Sequence, residues 1–227
     1  MRKLLLSLAA LPLATIVCGQ SYADQFETLF KVKDTSQLKI LLADWEKSSP
    51  EDPELYTSAI NFYFYISRNE TVSLDRESGK SGLQITDSTG KIVAYMNSNI
   101  DYRPDQVALA ITYIDKGIGR FPTRLDMRFG KCYLLQQIGD YEDFTIELIR
   151  AVEYSSTIAD NWLWVHNKKL EHPRQFLLKT VQEYLKQLYD TQNDSLLANM
   201  KRIGEFTIRY YPDTANAIKY YELTKKY

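Results

Sequence analysis

The chain has 227 residues, and its 28 Lys and Arg face 29 Asp and Glu, a net charge of −1. No basic stripe runs along it, which argues against nucleic-acid binding, and no polybasic segment supports adhesion to anionic lipid. Beyond Ala23 the only cysteine is Cys132, so no intrachain disulfide is available there.

Residues 1–23 read as an export signal. Arg2 and Lys3 form a basic start, and Leu4 to Val17 is apolar but short for a membrane span. Ser21-Tyr22-Ala23 supplies the small residues of a cleavage site after Ala23. Lipidation at Cys18 is the alternative, although Val17 precedes it. Removing Arg2 and Lys3 leaves 26 basic against 29 acidic residues, a net charge of −3. No transmembrane segment is expected after Ala23.

From there the pattern is helical. Asp24 to Val32 is a weak start, and Thr35 to Lys47 is a stronger one. Leu38, Leu41, Leu42 and Trp45 share one of its faces, with Asp34 or Thr35 as N-cap. Pro50 and Pro53 break the run, and Pro53 suits the first turn of the next helix, which reaches about Ser67. Residues 69–103 lose this rhythm. Leu83–Thr86 and Ile92–Tyr95 are β-prone runs around Asp87-Ser88-Thr89-Gly90, which reads as a hairpin turn. Helices are then expected from Asp105 to Pro122, from about Arg124 to Ile138 and from about Tyr141 to Ser155. Another opens at Asp160–Trp164 and is interrupted by His172-Pro173. The last three cover Arg174–Tyr189, Asp194–Tyr210 and a polar-edged Thr214–Tyr227.

One pattern occurs twice. Ala110, Ile114, Gly117 and Pro122 are matched, one repeat later, by Phe144, Leu148, Ala151 and Ser156. Arg128 follows Pro122 at the same distance as Trp162 follows Ser156. The stretch from Tyr56 to Ala110 is much longer than its counterpart from Arg128 to Phe144. The excess fits a hairpin and its connectors inserted at one turn. This period, of about 34 residues, and these slots resemble the tetratricopeptide repeat family. The likeness is good over 105–165, moderate over 35–67 and weak over 174–227. Phe144, Ser156, Lys131 and Cys132 depart from the usual slots.

The resemblance implies an all-α superhelix of stacked antiparallel helix pairs, with an inserted β-hairpin at about 82–96, in one domain from 24 to 227. A plain antiparallel bundle is the alternative. The resemblance also implies a concave groove lined by first helices. Its candidate residues are Asn61, Phe64 and Tyr65, then Phe129, Tyr133 and Gln136, then Leu163 and Asn167. Some family members hold a terminal carboxylate with paired Lys and Asn. Here only Asn61 fills such a slot, with Thr57 and Gly130 in others.

No motif for catalysis or a cofactor stands out. His166 and His172 do not share a helical face, Pro173 stands beside them, and no ligand set completes a metal site. Glu51, Asp52 and Glu54 lie at a helix start, where they suit the dipole, and Glu142 and Asp143 do the same. Cys132 is expected to pack as a small buried hydrophobe. The seventeen tyrosines either pack between helices or display their rings for binding. The expected function is a non-enzymatic interaction module of a bacterial cell envelope, in the periplasm or at the outer membrane. It would bind a protein or peptide in the groove without metal or cofactor. The alternative is a glycan-binding protein in which Trp164 stacks on sugar. An enzyme with dispersed carboxylates is a third reading.

Overall fold

The computed structural model describes residues 20–79 and 82–213. Most of the expected export signal, including Cys18, and the expected helix from Thr214 to Tyr227 lie outside the described residues.

Helix α1 spans Tyr22–Lys31. Ser21 caps it: the Ser21 hydroxyl accepts from the Asp24 N–H, and the Asp24 carboxylate accepts from the Ser21 N–H. The expected cleavage point after Ala23 thus falls within α1, and the Tyr22 ring stacks on Trp45 at 5.5 Å. Helix α2 covers Thr35–Ser48 with Asp34 as its N-cap, and its apolar stripe is buried as the spacing predicts. Helix α3 covers Pro53–Ser67. Asp52 caps it and also accepts from the Trp45 indole at 3.1 Å.

At the end of α3 the chain becomes a sheet rather than a simple hairpin. Strands β1 (Arg68–Asp75), β2 (Leu83–Thr86) and β3 (Ile92–Tyr102) form an antiparallel sheet in the order β1-β3-β2. The expected β2–β3 hairpin is present, and Gly90 supplies its left-handed residue at φ 84°. The third strand, β1, has little sequence signal, because Val72 and Leu74 are its only apolar residues. It forms because β3 continues to Tyr102 and gives it a full partner, from Arg68 opposite Tyr102 to Asp75 opposite Tyr95. The Arg103 N–H donates to the Ser67 carbonyl at 2.8 Å, closing the base where the chain leaves α3 and re-enters the helical layer.

Helix α4 (Pro104–Arg120) packs back along α3. Helix α5 (Leu125–Gln137) and helix α6 (Tyr141–Thr157) form the next pair, turned at Gly139, whose φ is 79°. Ala110, Ile114 and Gly117 on α4 are buried, as are Phe144, Leu148 and Ala151 on α6. A Cβ at Gly117 would stand 2.7 Å from the Tyr56 Cβ, so glycine is what lets α4 lie so close to α3. Cys132 is buried in the core, and burial raises its thiol well above its ordinary range.

The helix expected to open at Asp160 does not form. Ala159 and Asp160 both adopt left-handed backbone, and a short ribbon follows: β4 (Leu163–Trp164), a tight turn, then β5 (Lys168–Lys169). Tertiary bonds override the local propensity. The Leu163 N–H donates to the Thr123 carbonyl at 2.9 Å. The Trp162 ring is buried, and its indole donates to the Ser155 hydroxyl at 2.6 Å. Helix α7 (Pro173–Asp190) and helix α8 (Leu197–Tyr210) close the described chain, with α8 packed chiefly against α6. Among the described residues no helix is long and apolar enough to cross a membrane.

Candidate binding cleft

The expected groove residues do not form one continuous surface. Asn61, Tyr65 and Tyr133 come together with Phe64 around a cleft of about 500 Å³, whose other walls are Phe30, Arg68, Ile100, Tyr102 and Gln137. The spacing on α3 explains three contributions, since Asn61, Phe64/Tyr65 and Arg68 recur at helical spacing on one face. Tyr133 and Gln137 recur in the same way on α5. On β3, Ile100 and Tyr102 alternate onto a common face.

The cleft is built from rings. Phe64 stacks on Tyr102 at 5.2 Å and meets Tyr133 edge-on at 6.0 Å. Phe30 meets Tyr65 edge-on at 5.4 Å. Phe64 and Tyr102 form the floor and are half-buried; burial raises the Tyr102 phenol. Tyr65 and Tyr133 stand at the rim with 38% and 51% of their surface exposed. The side-chain amides of Asn61 and Gln137 have no hydrogen-bond partner among the described residues. Arg68 supplies a cation at the edge and pairs with Glu70 at 3.1 Å. The arrangement offers apolar ring faces flanked by the amides of Asn61 and Gln137.

The other expected residues have different fates. Phe129 is buried beneath α7, in contact with the rings of Phe176 and Tyr184, and its carbonyl accepts from the Tyr184 hydroxyl at 3.3 Å. Gln136 donates to Gln187 on α7 at 2.8 Å. Trp164 lies on the ribbon rather than on a helix. It packs edge-on against Phe129 and Phe176 and borders a shallow depression of about 480 Å³ rimmed by Lys168, Lys169 and Lys179. Leu163 is half-buried in the same strand. Asn167, in left-handed backbone, accepts from Arg124 at 3.3 Å. Among the described residues α7 thus covers α5 at Phe129 and reaches Gln136, while Tyr133 and Gln137 stay exposed.

A buried ionic node carries no local sequence signal. Arg124 is 1% exposed. It donates to Glu54 at 2.7 Å and makes a two-pronged pair with Asp126 at 2.8 and 2.7 Å. Glu54 also accepts from the His166 backbone N–H at 2.9 Å. Glu54 thus joins α3, α5 and the ribbon, rather than merely favouring a helix dipole. Glu51 pairs with Arg120, and Glu142 with Arg202. A second buried pair joins Arg128 to Glu147 at 2.8 Å, with the guanidinium 5.0 Å from the Tyr154 ring centre. Glu54, Asp126 and Glu147 are each paired with an arginine. Among the described residues no cluster of three His, Cys, Asp or Glu is arranged to hold a metal ion.

Compared with family models, with curated proteins and with solved structures, the chain matches none of them.

Proposed function

We propose that this chain is an exported, non-enzymatic interaction module that binds a peptide or protein segment in the cleft between α1, α3, α5 and β3. One observation carries the reading: Asn61, Tyr65 and Tyr133, from helices far apart in sequence, meet at the rim of one aromatic cleft beside the unpaired amide of Gln137. An extended segment can lay apolar side chains on the rings of Phe64 and Tyr102 and exchange backbone hydrogen bonds with the two amides. The scaffold reading is a tetratricopeptide-like stack, supported by the burial of equivalent positions on α4 and α6 and by the close approach at Gly117. Export to the envelope rests on the residue pattern before Ala23.

The test is affinity capture from envelope extract, followed by binding measurements with the captured partner. Replacing Tyr65 and Tyr133 together by Ala lowers affinity by about 10- to 100-fold, the range of hot-spot aromatic truncations, while far-UV circular dichroism stays unchanged. Absence of a partner above background, or loss of helicity in the double variant, contradicts the reading.

A glycan-binding reading has its own locus at Trp164, whose ring borders the lysine-rimmed depression. Tryptophan fluorescence that shifts with an oligosaccharide, and no longer shifts in Trp164→Phe, supports that reading over the peptide cleft.

A further inference from the structure

The two faces of the three-stranded sheet differ sharply. One face carries Val72 and Leu74 from β1, Leu83 and Ile85 from β2, and Met96 from β3, aligned by the register that sets Leu74 and Leu83 on either side of Met96. These five side chains are all exposed, with Val72, Leu74 and Leu83 at 64%, 68% and 63%. Apart from Tyr95, and from Ile92 beside the bulge at Val93, the opposite face is polar, with Thr71, Ser73, Asp75, Asn97 and Asn99 among its members. There Asn97 is buried and bonds to Asp75 and to the backbone of Glu77 and Gly79. Side chains alternate across a strand, so this separation follows from the order of residues along each strand. Water should face the polar side, yet the apolar side also lies open.

We infer that the apolar sheet face is the contact between two copies of this chain, packed sheet on sheet about a twofold axis. With Ile100 at its base, the face presents roughly 500–600 Å² of aliphatic surface, at the upper end of the largest patch on an ordinary monomer. Two such faces brought together reach about 1,000–1,200 Å², the lower end of what a specific protein–protein interface buries. A twofold contact needs a self-complementary surface, and the aliphatic patch of Val72, Leu74, Leu83, Ile85 and Met96 meets that condition. Its charged members are Arg68 and Glu70 at the base, already paired to each other, so closing the contact strands no lone charge. Between Arg68 and Tyr102 the chain has four basic and five acidic residues, so repulsion between copies is small.

The first and last described residues lie away from this face. The sheet grows from the C-terminal end of α3. Tyr22, near the first described residue, stacks on Trp45 beside the N-terminal end of α3, where Trp45 bonds Asp52. Tyr211, near the last, bonds Asp160 beyond the C-terminal end of α6, on that same far side.

The dimer face shares Arg68 and Ile100 with the cleft wall but does not rest on ligand binding there, and its test uses no ligand. Sedimentation velocity on the purified full chain, up to about 100 µM, reads micromolar to sub-millimolar self-association. The expected species has twice the mass of one chain. Leu74→Lys with Leu83→Lys returns it to a monomer with unchanged circular dichroism, because both side chains are already in water. Thr71→Lys with Asn99→Lys, on the polar face, leaves the dimer intact. Should the first pair misfold, Val72→Glu with Ile85→Glu probes the same face. A monomeric wild-type chain overturns the inference, including one that floats with phosphatidylcholine vesicles. So does a dimer that the two faces' variants weaken equally or not at all.

Discussion

Phe129 and Tyr133 stand one turn apart on α5, and the regions around them behave differently. Around Phe129, α7 and the β4–β5 ribbon lie across the helix, and rings from Trp164, Phe176 and Tyr184 close over it. Tyr133 instead stands 51% exposed at the cleft rim, where its ring meets Phe64 edge-on beside Tyr102. The two residues have the same chemical character and the same helical face. What separates core from binding surface here is the next element of the chain, not the residue itself.

This contrast is easiest to break at its covered end. Phe129→Ala should cost about 3–5 kcal/mol of unfolding free energy, the usual loss for a buried phenylalanine. Tyr133→Ala should cost less than about 1.5 kcal/mol, the scale of one ring-edge contact. Chemical denaturation of both variants checks the pair, and similar losses would erase the distinction between the two halves of α5. Arg124→Ala attacks the anchor that holds the ribbon in place. It leaves Glu54 and Asp126 buried without their cation, and breaking such a pair costs about 3–5 kcal/mol. Hydrogen exchange should show the ribbon around His166 losing protection first, because Glu54 also holds that backbone N–H.

A smaller effect comes from the close packing of α4 on α3. Gly117→Ala puts a methyl group within 2.7 Å of the Tyr56 Cβ and within 3.0 Å of the Met127 sulfur. Separating α4 from α3 to accommodate it should cost about 1–3 kcal/mol, read as a lower thermal midpoint. Smallest is a pH effect on the covered side. Burial, and then its hydrogen bond to Asp160, push the Tyr211 phenol up to about 12 from an ordinary 10.0. The fold favours the protonated phenol, so this contribution is complete below pH 10 and is lost as pH rises to 12. Tyr211→Phe should therefore lose stability less steeply over that window than the parent, measured by urea midpoint. A residual slope stays, because burial also raises Tyr113 and Tyr184.

The legible parts of the fold are those with local causes. The stripe Leu38, Leu41, Leu42 and Trp45 gives α2 its buried face, Asp34 and Pro53 mark helix starts, and Gly90 and Gly139 mark turns. Strand β1 is not legible, since Arg68–Asp75 becomes a strand only once β3 is long enough to pair with it. The ribbon at 163–169 reads as helix because Trp162 carries a repeat-like spacing. The bonds that set its backbone come from Thr123 and Glu54, which lie on elements far earlier in the chain than their partners Leu163 and His166. The same limit applies to the site. Helical spacing finds Asn61, Tyr65 and Tyr133, but the cleft's Phe30, Ile100 and Tyr102 arrive from elements whose packing on α3 has no local signature. Phe129 and Gln136 look equally suitable until α7 covers them.

The cleft reading can be tested in intact cells by placing a photo-crosslinking amino acid at Tyr133 and, as a control, at Glu205 on the exposed side of α8. The account expects a discrete crosslinked adduct from the Tyr133 position that is absent at the Glu205 position. Equal labelling from both positions, or none from Tyr133 while the protein is folded and exported, would show that the ring-lined cleft is not where this protein meets its partner.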